Sequence, residues 1–145
     1  MSFENMKEMN EAILHERSCM MMYYFTPQEA RQIMNVARMT GIKDCITLKS
    51  SHSQNQIRAI LDNQLEETTD ETVLGSTVKE KAIIFNGIPS ARVSLFIDGL
   101  KKCRIRRPII AVVTEQSIEW TLNDLLINLS NERAAISRGE FVGHE

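Results

Sequence analysis

The sequence predicts an α/β domain: two β-α-β-α halves forming a four-stranded, largely parallel sheet flanked by helices, preceded by an N-terminal helix. Three observations carry that expectation. Short, continuous apolar runs alternate with amphipathic helical segments, helix starts and stops are clearly punctuated, and the whole order recurs after an acidic stretch in the middle of the chain.

Residues 1–18 come first. Phe3, Met6, Ile13 and Leu14 recur at helical spacing among charges, which predicts an amphipathic helix with a narrow apolar stripe. Met20 to Phe25 is a strand-length apolar run, the pattern of a strand buried on both faces. Thr26, Pro27 and Glu29 then supply an N-cap, a first-turn proline and the acid of a capping box. The helix they open puts Ala30, Ile33, Met34 and Ala37 on one face and stops at Gly41, which suits a left-handed C-terminal position. Ile42 to Leu48 reads as a second strand, and Ser53 as the cap of a helix carrying Ile57, Ile60 and Leu61. This first half spans 19–65.

From 66 to 80 the pattern lapses. Glu66, Glu67, Asp70 and Glu71 sit among threonines, so a solvated acidic linker is expected, without an element of its own. The second half spans 81–133. Lys81 to Phe85 is a strand, Asn86 to Ser90 a turn, and Val93, Phe96, Ile97 and Leu100 mark a helix face. A basic turn leads to Pro108 and the strand Ile109 to Val113. Thr114 to Ser117 then opens a last helix with Ile118, Leu122, Leu125, Leu126 and Leu129 on one side. Residues 134–145 have little to bury and read as a tail.

Aligned by pattern, Pro27 matches Pro89, Ile46 matches Ile110, Ile57 matches Leu122 and Leu61 matches Leu126. The offset grows from 62 to 65 across a longer helix-to-strand turn. This predicts an internal repeat of one β-α-β-α unit. Strand-helix alternation implies right-handed crossovers and parallel strands, and a 2-1-3-4 order is the simplest arrangement. Its switch point would gather Phe25, Thr26, Asn86 and Gly87 on one rim, with Thr114 beside them.

Composition bounds the function classes. The 145 residues suffice for one domain, and 43% apolar with 25% charged residues is ordinary globular usage. A net charge of -2 is not the balance of a nucleic-acid binder. The sign is uneven, with 8 Lys/Arg against 12 Asp/Glu up to residue 80 and 9 against 7 after it. No apolar run reaches the ~20 residues of a membrane span, and the acidic N-terminus argues against a signal peptide, so a cytoplasmic location is expected. Cys19, Cys45 and Cys103 lack paired spacing, and Cys19 and Cys45 read as small buried hydrophobes. His15, His52 and His144 share no ligand spacing, so no metal and no cofactor is expected. Gly-rich phosphate loops and the G-x-S-x-G elbow are missing as well, and no catalytic residue can be named.

Two features stand out. Lys101, Lys102, Arg104, Arg106 and Arg107 crowd the end of a helix, where cations complement the dipole and a turn must be solvated. The alternative is a patch for phosphate or an acidic partner. The run carries no aromatic residue, which argues against base stacking. The second is the turn containing Thr114, Ser117 and Trp120. Its hydroxyls can cap a helix, and the only tryptophan lies off the apolar stripe, either covering the sheet end or meeting a ligand or partner.

The block 81–132, with AIIFNG, IIAVVT, TEQSIEW and TLNDLLINL, resembles a bacterial family known as domain of unknown function number 3783. Thr114, Trp120, Leu125 and Glu132 fit that family's pattern. Ser117 stands where the family shows asparagine and Glu115 where it shows proline. The upstream half also resembles full-length members. The resemblance implies fold and bacterial origin and brings no activity. The sequence therefore points first to a non-catalytic binding or protein-interaction module on the rim of Thr26, Asn86, Gly87, Thr114, Ser117 and Trp120, with self-association into a homodimer as one form of it. An enzyme or sensor for a small anionic metabolite at the same rim is the alternative, and RNA or phosphate binding through 101–107 is a weaker one.

Overall fold

The computed structural model describes residues 15–137; the N-terminal helix expected over 1–18 lies almost entirely outside them, and of the tail expected over 134–145 residues 134–137 instead continue the last helix while the rest lies outside the described residues. Four strands form one sheet: β1 (Cys19–Tyr23), β2 (Cys45–Leu48), β3 (Ala82–Asn86) and β4 (Ile109–Val112), in the order β2-β1-β3-β4. Among the described residues five α-helices accompany it: α1 (Pro27–Met39), α2 (Ile57–Leu61), α3 (Glu71–Gly75), α4 (Ser90–Lys102) and α5 (Leu122–Ser137). β1 runs parallel to β2 and β3 parallel to β4, each pair joined through a helix as a β-α-β unit. The central pair β1/β3 is antiparallel. That single pair corrects the expectation of a shared rim. The carboxyl end of β1 lies beside the amino end of β3, so Thr26 is at one edge of the sheet and Asn86 at the other.

Burial explains the strand sequences. All five residues of β1 and of β3 are buried, because helices cover both faces. Met20, Met22, Ile83 and Phe85 meet α1 and α4 on one face; Cys19, Met21, Tyr23 and Ile84 meet α2 and α5 on the other. Burial pushes the Cys19 thiol up to about 12, which keeps it protonated and inert.

The antiparallel pair also relates the halves by an approximate two-fold axis normal to the sheet. Met21 pairs with Ile84, 63 positions on. α1 and α4 are both 13 residues long at the same offset, with Ala30, Ile33, Val36 and Ala37 matched by Val93, Phe96, Gly99 and Leu100. They cross where Val36 meets Gly99: a Cβ added there would lie 2.7 Å from Val36 Cγ1. Their ends match as well. The Ile42 amide donates to the Ala37 carbonyl at 2.8 Å and that of Ile105 to Leu100 at 2.9 Å. Left-handed residues recur at Tyr24 and Gly87 (φ 72° and 70°) and at Gly41 and Arg104 (φ 87° and 58°).

Beyond these turns the offset becomes 65, because the 105–110 turn is two residues longer than the 42–45 turn. The ladders place Met21 beside Ile46 and Ile84 beside Ala111, so Ile46 corresponds to Ala111; the pairing with Ile110 is one residue out. On the α2/α5 face the halves meet again. Gln56 bridges Thr121, the Ile57 amide donates to Trp120, and the Leu122 amide donates to Asn55.

Several elements differ from the sequence reading. The second strand begins at Cys45 and not at Ile42, whose amide closes the end of α1. The last helix begins at Leu122, since Trp120 is extended (ψ 159°) and Ser117–Glu119 is a separate 3-10 turn. Ser53 is fully buried and does not cap α2, whose N-cap is Gln56. Within 66–80, Asp70 caps the short helix α3 by accepting from the Thr72 amide. Among the described residues no helix is long and apolar enough to cross a membrane.

Candidate anion-binding cleft

A cleft of about 470 Å3 opens where β1 ends and β3 begins. Its apolar floor is Phe25, Ile33, Ile105 and Pro108. Phe25 leaves β1 after left-handed Tyr24, Ile33 stands on the inner face of α1, and Ile105 and Pro108 belong to the longer helix-to-strand turn. Its rim is charged: Lys79, Lys81, Arg106, Arg107 and Arg133 face Glu29 and Glu80, a surplus of three positive charges.

Both carboxylates are engaged. Glu29 closes the predicted capping box, taking the Thr26 amide at 2.9 Å while the Thr26 hydroxyl takes its own amide at 3.1 Å. It also pairs with Lys81, whose ammonium holds the Glu29 carboxyl below its ordinary range. Glu80 turns toward α5, accepting from the Ser130 hydroxyl and lying 4.0 Å from Arg133. Lys79 is held by neutral groups, the Leu74 carbonyl and the Thr77 hydroxyl, both at 2.9 Å. Among the described residues neither Arg106 nor Arg107 has a carboxylate partner, and both are exposed. With low-dielectric walls beneath it, such a rim concentrates small anions.

The opposite edge has no such surplus. Arg17 binds Asp44 through two nitrogens, at 2.7 and 3.1 Å, and donates to the Leu61 carbonyl. The guanidinium holds the Asp44 carboxyl below its ordinary range. Asn86 is buried and donates to the Arg17 carbonyl at 2.7 Å, while the Ser18 hydroxyl donates to the Gly87 carbonyl. A Cβ at Gly87 would lie 3.0 Å from the Ser18 hydroxyl at a positive φ, so the glycine answers a backbone requirement.

The remaining candidates are dispersed. Thr114 and Ser117 cap each other, each side chain accepting from the other's amide at 3.0 and 2.9 Å. Trp120 packs against the core of the α2/α5 face, and its carbonyl accepts from the Ile57 amide. In the first half His52 occupies the Ser117 position: its Nδ1 accepts from the Lys49 amide at 3.0 Å, which requires a neutral ring, and burial lowers its pKa. Of the basic run, only Arg106 and Arg107 line the cleft; Lys101 and Lys102 end α4, and Arg104 takes the left-handed position. Sequence reasoning missed Glu29, Lys79, Glu80, Lys81 and Arg133 as site residues. Their signal was the alternating charge of 79–81, readable only once β3 is known to start where β1 ends. Among the described residues no three His, Cys, Asp or Glu side chains gather as metal ligands.

Residues 81–136 match the family described as Domain of unknown function (DUF3783). Those 56 of the 145 residues are similar to DUF3783 domains. The match begins at β3 and ends inside α5, so the matched segment is one β-α-β-α unit with its Thr114–Trp120 turn. That turn is a structural joint in this protein, tying the matched segment to residues 55–57. No curated protein and no solved structure matches the chain.

Proposed function

We propose that this protein is a non-catalytic binding module whose ligand is a small anion seated in the cleft between Phe25, the start of β3 and the 105–108 turn. The observation that carries the reading is the pair Arg106 and Arg107, two adjacent guanidiniums without a carboxylate partner among the described residues, beside an apolar floor. Binding fits the cleft better than proton transfer does, because Glu29 and Glu80 are both committed to hydrogen bonds and cations. Arg106 and Arg107 belong to the DUF3783-like half; Phe25 and Glu29 belong to the first half, which we read as a second, diverged copy of the same unit. The three free cysteines accord with a reducing, cytoplasmic setting.

A thermal-shift series with inorganic phosphate, sulfate and citrate at low ionic strength tests the reading. A ligand at a hundred times its Kd stabilises by about 2.7 kcal/mol. The expected result is a higher Tm with at least one anion, lost in R106Q/R107Q and weakened by added sodium chloride. No response, or one unchanged in R106Q/R107Q, would overturn the proposal.

A further inference from the structure

Resting on that anion-binding reading, we infer that the cleft takes a phosphoryl group carried on a molecule with an apolar body. Charge is the first argument. The rim has three positive charges in excess, and none of Lys79, Arg106 and Arg107 is paired with a carboxylate among the described residues. A phosphate monoester carries about -1.5 to -2 near neutral pH, whereas a carboxylate carries one charge.

Stoichiometry of hydrogen bonding is the second argument. At the other edge of the sheet, one carboxylate, Asp44, occupies one guanidinium, Arg17, through two bonds. The cleft offers two guanidiniums and an ammonium, more donors than one carboxylate can accept. Three phosphoryl oxygens match two planar forks and a point charge.

Space is the third argument. Water occupies about 30 Å3 per molecule in the liquid, so a cleft of about 470 Å3 is far larger than a bare phosphate. Much of the wall not taken by cations is Phe25, Ile33, Ile105 and Pro108. A hydrocarbon or aromatic body covering these residues removes apolar surface from water.

Isothermal titration of the full chain with phenyl phosphate, benzenesulfonate, benzoate and inorganic phosphate at pH 7.5 tests the inference. Phenyl phosphate and benzenesulfonate share a ring and three terminal oxygens and differ in charge and in the bridging ester oxygen; inorganic phosphate lacks the ring. Phenyl phosphate is expected to bind tightest, with benzenesulfonate and inorganic phosphate each weaker by about tenfold and benzoate weaker still. R107Q should weaken phenyl phosphate by about tenfold while leaving Tm unchanged, since the side chain is exposed. Benzoate or benzenesulfonate binding as tightly as phenyl phosphate would overturn the phosphoryl assignment and leave the anion cleft standing. Inorganic phosphate matching phenyl phosphate would overturn the apolar body. Silence from all four ligands, or affinities unmoved in R106Q/R107Q, would overturn both inference and cleft.

Discussion

The turn 42–45 and the turn 105–110 leave equivalent helices through the same left-handed step and enter equivalent edge strands, yet they end differently. In the first, Asp44 follows Lys43 directly and closes on Arg17, so the sheet edge is sealed by an internal ion pair. In the second, two extra residues carry Arg106 and Arg107 outward. Glu80, which corresponds to Arg17, turns away to Ser130 and Arg133. The carboxylate that completes the pair at one edge is missing at the other, and a cleft stands in its place. Two units of like topology thus end in one sealed edge and one open edge, which differ by two residues in the turn and by a reversal of charge.

The comparison depends on the halves being equivalent elsewhere, and the helix crossing is the place to break it. Gly99→Val would drive two side chains into the space that Val36 now fills, at an expected cost of about 2–3 kcal/mol. If the two-fold relation is real, the exchanged pair V36G/G99V should recover most of that loss, because each residue then occupies the other's place. Chemical denaturation of the three proteins measures this, and a swap no better than the single variant would break the equivalence.

The two 3-10 turns give the next effect. His52 and Ser117 both accept the amide three residues upstream, but only His52 can titrate. Its folded pKa lies below its ordinary value of 6.5, because burial disfavours the imidazolium, with Glu67 opposing and Lys49 adding to the shift. The unfolded state therefore protonates first. Stability should be complete above about pH 6.5 and fall, by at most about 1.4 kcal/mol per pH unit, until the lowered folded pKa is passed. His52→Ser should flatten that part of the curve in denaturation midpoints measured between pH 7.5 and 5.

Smaller effects come from the sealed edge and the left-handed residues. Asp44→Asn should cost up to about 1 kcal/mol at neutral pH, modest because the pair is partly exposed and water screens it. The wild-type advantage should disappear in acid: the folded pKa of Asp44 is depressed, so its contribution is present above the unfolded value and lost as pH falls through the folded one. Arg104→Gly should raise stability by about 0.5 kcal/mol, since Gly41 holds the same conformation without a Cβ in the first half. A loss of stability there would mean that the Arg104 side chain makes a contact the comparison overlooks.

Much of this was legible in the residues, and the failures have physical causes. Apolar runs at 20–25, 81–85 and 109–113, with caps at Thr26 and Gly41, mark the strands and the first long helix, because burial on both faces and cap geometry impose residue types. Periodicity carries no sign of direction, so nothing in AIIFN tells β3 to run against β1. That one direction moves Asn86 and Gly87 away from Thr26 and brings Lys79, Glu80 and Lys81 to Phe25. Trp120 looks free on a helical projection, but the chain is extended there and its backbone joins the halves. The basic turn was visible as a cluster; that only Arg106 and Arg107 line a cleft depends on which residues form the insertion.

The most direct test of the account is to close the open turn by copying the sealed one. Replacing Arg106-Arg107-Pro108-Ile109 with the Lys43-Asp44 dipeptide removes the two extra residues and both guanidiniums, while keeping Ile105 and Ile110 in place. The account predicts a folded protein with its Tm within a few degrees of wild type and no measurable phosphate binding by calorimetry. A folded variant that binds phosphate as the wild type does would contradict it.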